Sequence, residues 1–318
     1  MWFSQSGRRL VHELSRALRR RRLPPRRTAL SAMSEALLQH WPEYLMEAAL
    51  LGGFMISACM FATLLEYPGS LGRRVIPSAF TRRALMGAAM GLTAVTLIYS
   101  PWGQQSGAHM NPATTMTFFL RGNVAAWDAA FYVAAQFAGG AAGVAVARLM
   151  LRNWLRHASV NHVVTTPGRF GVAAAWMAEL LIAFGMMFMV LYASNDAMLT
   201  PYTGLFAGAL VALYITFEAP LSGMSLNPAR TFGSALVARH WKAFWVYLTA
   251  PILGMLLASG AYSALPAHHH VYCAKLDHCN GYRCIFRCEF DQLRRQIDTT
   301  DGSRPVKSPG PPGISTKR

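Results

Sequence analysis

At 318 residues, with 53% hydrophobic and only 14% charged side chains, the chain is too apolar for an ordinary soluble domain of its length. Its formal net charge of +16 gathers at the two ends, in Arg8, Arg9, Arg16, Arg19, Arg20, Arg21, Arg22, Arg26 and Arg27 in front and within 275–318 behind. No basic recognition fold accompanies that charge, so nucleic acid is excluded as the partner and a lipid bilayer is implied.

Residues 1–40 read as a basic N-terminal arm. Leu10, Leu14, Ala17 and Leu18 could lie on one narrow amphipathic stripe ended by Pro24 and Pro25. The competing reading is that the stretch before Met33 is disordered or untranslated. No apolar core leads into a small-residue cleavage site, so no cleavable signal peptide is expected.

Residues 41–266 read as a membrane domain. Apolar segments at 44–65, 83–99, 125–149, 171–193, 201–219 and 243–265 each come close to the roughly 20 residues that cross a ~30 Å hydrocarbon core. A shorter semi-polar segment sits between the second and third, and another between the fifth and sixth. The first runs Ser-Gly-Ala-His-Met-Asn-Pro-Ala-Thr-Thr from Ser106, and the other Ser-Gly-Met-Ser-Leu-Asn-Pro-Ala-Arg-Thr from Ser222, identical at six of ten positions. Glu47 and Glu179 each stand early in a span ahead of one copy, so the chain is two related halves, about 44–150 and 171–265. Three spans per half bring the second copy in from the opposite face, which is an inverted repeat.

Asn followed by Pro starts a helix: Asn is a favoured N-cap, and Pro at the first helical position gives up an N–H that would have been unpaired. Helices are therefore predicted to open at Pro112 and Pro228. The first stops near Arg121 and Gly122, giving a length of about 15 Å, half the hydrocarbon core. Two such half-helices meet N-terminus to N-terminus near the midplane and repel protons and metal cations there, because each tip carries roughly half a positive charge. The Asn111 and Asn227 carbonyl oxygens cap backbone N–H groups, which leaves their NH2 groups as donors to a passing oxygen. Arg121 and Arg239 suit the negative poles at the other ends. A charged Arg230 beside the second box is expected to face water, and Glu47 and Glu179 to accept from loop N–H groups.

With both Asn-Pro-Ala boxes (Asn111, Pro112, Ala113 and Asn227, Pro228, Ala229), Arg230 directly after the second, and Glu47 and Glu179, the stretch 44–265 resembles aquaporins and aquaglyceroporins, the major intrinsic protein family. The resemblance implies an all-α membrane protein of six transmembrane helices plus two re-entrant half-helices, a homotetramer with one pore per subunit, and a channel that is not an enzyme and needs no cofactor for transport. It implies that Asn111 and Asn227 are central pore asparagines, that Arg230 belongs to an outer constriction, and that Glu47 and Glu179 hold the pore loops; His109, beside the first box, reads as a structural, loop-holding residue. Alignment to the family pattern places Met90, Ile215 and Met224 beside Arg230, where strict water channels of the family carry an aromatic and a histidine at the first two places. A methionine wall is apolar and adaptable, so the ring is expected to pass glycerol, urea, ammonia, peroxide or a metalloid acid, with or without water. The alternatives are a water-selective channel, with the methionines folded inward, and a secondary transporter, which would need coupling-ion ligands at mid-depth. The arginine-rich ends place both termini in the cytoplasm and the protein in the plasma (cell inner) membrane.

Residues 267–296 form a His/Cys-rich tail, expected in the cytoplasm, and 297–318 read as disordered. Four of the five cysteines lie in this tail, and Cys59, inside the first span, reads as packing. Cys273, His278, Cys284 and Cys288 could hold zinc tetrahedrally, or an iron–sulfur cluster through the cysteines; the alternative is a reduced tail without metal, since no paired Cys-x-x-Cys is present.

Overall fold

The computed structural model describes residues 29–265 and 270–300, apart from the side chains of 296–300. The stripe expected at Leu10 to Leu18 and the disorder expected beyond 300 lie outside the described residues. Two compact units divide the chain, Met1–Trp41 and Pro42–Arg318. In the first, the described residues are the opening turns of a helix with Leu30, Leu38 and Trp41 exposed.

The described residues contain helices and no strand. Six long helices are α1 (Ala29–Glu66), α2 (Ala79–Ile98), α4 (Ala126–Leu151), α5 (Gly171–Ser194), α6 (Thr203–Phe217) and α8 (Phe244–Ser263). Two short ones, α3 (Pro112–Leu120) and α7 (Pro228–Ala238), begin at the two Asn-Pro steps. In the tail, α9 covers Phe290–Thr300 and so continues past residue 296, where disorder was expected.

Five of the long helices, α6 with its preceding turn among them, are long and apolar enough to cross a membrane. α2 differs by opening on Arg82 and Arg83. The buried Arg82 guanidinium is satisfied by Glu66 Oε1 at 3.0 Å and by the carbonyls of Ile76 and Pro77. Large apolar side chains such as Leu64, Leu92, Leu149, Leu181, Leu213 and Leu257 point outward, as they do where lipid, not water, is the neighbour. The protein is an integral membrane protein.

Backbone approach between the helices depends on glycine, because lipid supplies no hydrophobic force to press helices together and contact must come from close packing. A Cβ on Gly139 would lie 2.1 Å from the Ala48 carbonyl oxygen, joining α4 to α1, and one on Gly254 would lie 2.3 Å from that of Leu180, joining α8 to α5. These are matching places in the two halves. Between α2 and α6 the relation is reciprocal: a Cβ on Gly91 would meet Gly208 O at 2.5 Å, and one on Gly208 would meet Gly91 O at 2.6 Å. That mutual contact is what an axis relating the halves produces where it passes between two helices.

Gly139→Val is expected to lower the thermal unfolding midpoint in detergent, with a cost on the order of 1–3 kcal/mol for overpacking. Gly260→Ala, where an added Cβ meets nothing within 4 Å, should leave the midpoint unchanged.

Candidate functional site

The loops leading into α3 and α7 run through the interior with irregular backbone. Gly107, Ala108 and Met110 have positive φ in the first loop, as do Gly223, Met224 and Leu226 in the second. For the non-glycine residues that conformation costs on the order of 1–3 kcal/mol each, so something must hold it.

In each loop the holder is a buried glutamate. Glu47 Oε1 accepts from Ser106 Oγ at 2.8 Å and His109 N–H at 3.0 Å, while Oε2 accepts from Met110 N–H at 2.6 Å and Gln136 Nε2 at 2.7 Å. Glu179 Oε1 accepts from Ser222 Oγ at 2.6 Å and Ser225 N–H at 2.7 Å, and Oε2 from Leu226 N–H at 2.6 Å. Tyr132 and Tyr247 add one bond each, from their hydroxyls to the Ser106 and Ser222 carbonyls. Sequence reading missed these tyrosines and Gln136. Gln136 carried a signal, as a fully buried amide in a membrane span needs a partner.

His109 lies between the rings of Phe118 and Phe286, with centroids 5.2 Å away on both sides. Its Nδ1 pairs with Thr115 Oγ1 at 3.0 Å and its Nε2 with the Ala274 carbonyl at 2.8 Å. Ser225 occupies the corresponding place in the second loop and pairs with Thr231.

Held this way, the loops present the two Asn-Pro steps to each other. Asn111 Oδ1 caps Ala113 N–H at 2.9 Å, and Asn227 Oδ1 caps Ala229 N–H at 3.0 Å and Arg230 N–H at 3.2 Å. The side-chain amides then cross over: Asn111 Nδ2 donates to Leu226 O at 2.9 Å, and Asn227 Nδ2 to Met110 O at 2.7 Å. Each NH2 thus spends one hydrogen on the opposite loop and keeps one, where the sequence suggested both would face the passing molecule. At the far ends, Arg121 reaches across to Ser259 and Ser263 of α8, and Arg239 closes α7 in a left-handed conformation.

Both asparagines line one cavity of about 310 Å³, along with His109, Met90, Ile215, Met224 and Arg230. The four ring candidates therefore line the same cavity, brought there by α2, α6, the second loop and α7. Arg230 Nη1 donates to the Val163 carbonyl at 2.8 Å. Asn161, His162 and Val163 all have positive φ, a strained run that turns this carbonyl toward the guanidinium. Sequence reading had no means to find Val163, because its role is a backbone one.

The tail does not stand apart from the site. Leu276, in the tail, lines the same cavity. Cys273, His278, Cys284 and Cys288 bring their ligand atoms within 4.8 Å of one another. In this cluster burial works against the charged imidazole of His278, but hydrogen bonds to Cys284 and Cys288 outweigh it and raise the group to about 9. His270 pairs with Glu289 at 3.0 Å.

Comparison with known proteins gives a consistent picture. The profile of the family described as major intrinsic protein matches residues 38–262. The chain is 36% identical over 178 residues to aquaporin NIP1-4 of Oryza sativa subsp. japonica, covering 56% of this chain and 63% of that one. It is 33% identical to aquaporin NIP6-1 of Arabidopsis thaliana, over 55% of this chain and 56% of that one. With aquaporin-4 of Bos taurus it shares 29% identity over 230 residues, 68% of each chain. The chain thus spans less than two thirds of the length of the two plant relatives. The X-ray structure of the aquaglyceroporin from Plasmodium falciparum has the same fold at a TM-score of 0.61 and 18% identity, covering 72% of this chain and 98% of that one.

Glu179→Gln puts an amide donor against N–H groups that already donate, and removes the charge that strengthened those bonds. It should cost on the order of 2–5 kcal/mol in detergent unfolding, against about 1 kcal/mol for Tyr247→Phe. Equal losses in the two variants would contradict the assignment of the carboxylate as the main holder.

Proposed function

We propose that this chain, which belongs to the major intrinsic protein family, is a passive channel for small uncharged solutes, with or without water, and not an enzyme. The observation that carries this reading is the crossing of Asn111 and Asn227 inside one cavity whose wall also holds Met90, Ile215, Met224 and Arg230. One remaining amide hydrogen from each asparagine offers a passing oxygen two donors at the point where two helix N-termini converge. A neutral hydroxyl or water accepts there. A cation meets the positive ends of both half-helices and the Arg230 guanidinium, without the shell of oxygens it would need to replace its hydration.

Selectivity among neutral solutes is assigned to the ring. Met90, Ile215 and Met224 make an apolar and deformable wall, with Arg230 as the one charged donor, so a molecule with a carbon backbone and hydroxyls on one side, such as glycerol, finds a partner on each side. Urea, ammonia, peroxide and metalloid acids belong to the same class of neutral hydrogen-bonding solutes. Transport needs no cofactor; a metal ion, where one binds, is assigned to the tail. We place both termini in the cytoplasm and the protein in the plasma membrane as a homotetramer, on the basis of the arginine-rich ends and the family.

Stopped-flow swelling of proteoliposomes against a panel of osmolytes tests the reading. Glycerol or another neutral solute is expected to pass faster than through empty vesicles. Met90→Phe combined with Ile215→His is expected to cut that flux at least about tenfold while sparing water, the size of change that loss of about 1.4 kcal/mol produces. Passage of water alone through the parent would favour a water-selective ring, and saturable uptake coupled to an ion gradient would favour a transporter.

A further inference from the structure

Residues 270–289 contain neither helix nor strand, yet they hold a fixed course over one end of the helix bundle. Their anchors come from separate elements that surround the first-box loop. Tyr272 N–H donates to Asn195 Oδ1 at 2.8 Å, Leu276 N–H to the Gly107 carbonyl at 3.2 Å, Arg287 N–H to the Asn123 carbonyl at 2.9 Å, and Arg283 to Glu43 at 3.0 Å. Phe286 stacks on His109 beside the first box, and Leu276 enters the wall of the cavity that holds both asparagines. An irregular segment of this length lacks a core of its own and ordinarily needs a staple to keep one conformation.

The staple has the chemistry of a metal site. Three thiols and one imidazole lie with all four ligand atoms within 4.8 Å, Cys273 and Cys284 with their sulfurs 3.5 Å apart and Cys288 Sγ 3.0 Å from His278 Nε2. Around a tetrahedral zinc, with zinc–sulfur bonds of about 2.3 Å, neighbouring ligand sulfurs stand roughly 3.8 Å apart. The cluster is the size for one such ion, whereas an iron–sulfur cube inserted among the ligands would force them farther apart. Phe290 stacks on the His278 ring at 4.4 Å and fixes its orientation. Three thiolates around a divalent ion leave one net negative charge. Lys275, two residues from Cys273, is buried with its Nζ donating to the Tyr282 and Arg283 carbonyls, which puts a potential counter-charge in the same segment.

We infer that Cys273, His278, Cys284 and Cys288 bind a single zinc-class ion, and that this ion clasps the tail over the first-box mouth of the pore, with Leu276 as the part that narrows the path. Leu276 lies inside the ligand loop from Cys273 to His278, so filling the site fixes it directly. With the ion removed, the segment loses its staple and Leu276 its reason to stay in the cavity wall. The metal half stands on the cluster alone; the gating half rests on the channel reading.

Two measurements on the full-length protein separate these halves. Purified protein is expected to carry roughly one zinc per chain by elemental analysis, to show the thiolate-to-cobalt absorption of a tetrahedral site when loaded with cobalt(II), and to lose both in Cys284→Ser combined with Cys288→Ser. Protein that binds no zinc, or whose oxidised cysteines pair as disulfides and give no cobalt spectrum after reduction, overturns the site. In proteoliposomes, zinc-loaded protein is expected to pass neutral solutes severalfold more slowly than chelator-stripped protein. Leu276→Ala, which keeps every ligand, should remain open with zinc bound. Flux that is the same loaded and stripped, with Leu276→Ala unchanged, overturns the gate while the channel stands. Flux at the level of empty vesicles in all three cases overturns the gate and the channel together, and leaves the metal stoichiometry to decide the site.

Discussion

Everything at the centre of this protein depends on two carboxylates holding backbone that lipid would not tolerate. At mid-depth an unpaired N–H has no water to turn to, so irregular chain survives there only where the protein itself supplies partners. Glu47 and Glu179 supply them, taking four and three hydrogen bonds respectively from the loop groups and, for Glu47, from Gln136. An ionised carboxylate buried this completely would be costly by itself, and those bonds are what make it tolerable. The same bonds offset the strain of Ala108, Met110, Met224 and Leu226 in left-handed conformations.

That strain has a structural return. By turning the backbone, it brings the Met110 and Leu226 carbonyls to where the opposite asparagine can reach them. The crossed amide bonds tie the two halves at the point where their like-charged helix ends converge, a juncture that electrostatics alone would push apart. One hydrogen of each amide goes to this tie, so the pair keeps two donors in place of four for a molecule in the cavity. An oxygen has two lone pairs, and one donor from each half would match them without leaving surplus donors unmet.

Much of this was legible in the sequence, for definite reasons. Asn-Pro marks a helix start through cap chemistry that depends only on neighbouring residues, and α3 and α7 begin at Pro112 and Pro228. The repeat of the Ser-Gly to Asn-Pro-Ala segment, with a glutamate ahead of each copy, carried the inverted halves. What stayed hidden involves carbonyls and partners remote in sequence: the Val163 carbonyl under Arg230, the crossing of the asparagine amides, and the Tyr132 and Tyr247 bonds into the loops. Carbonyls have no letter in the sequence. The tail showed its ligand types but not its place, because nothing in the spacing of Cys273 to Cys288 indicates that Ala274 and Leu276 lie against His109 and Gly107.

Where the two halves differ is therefore more informative than where they agree. Glutamates, tyrosines, asparagines and helix-contact glycines recur at matching places and build the frame, whereas Thr114 in the first half is answered by Arg230 in the second, and His109 by Ser225. All four of these residues line the shared cavity. On the second-box side Arg230 lines the cavity along with Met90, Ile215 and Met224. On the first-box side His109, larger than the serine that replaces it, provides a flat ring on which Phe286 of the tail stacks and a nitrogen for the Ala274 carbonyl. The symmetric frame brings both Asn-Pro steps to one cavity. The asymmetric residues differ in what they meet: Arg230 takes the Val163 carbonyl, and His109 takes the Ala274 carbonyl of the tail.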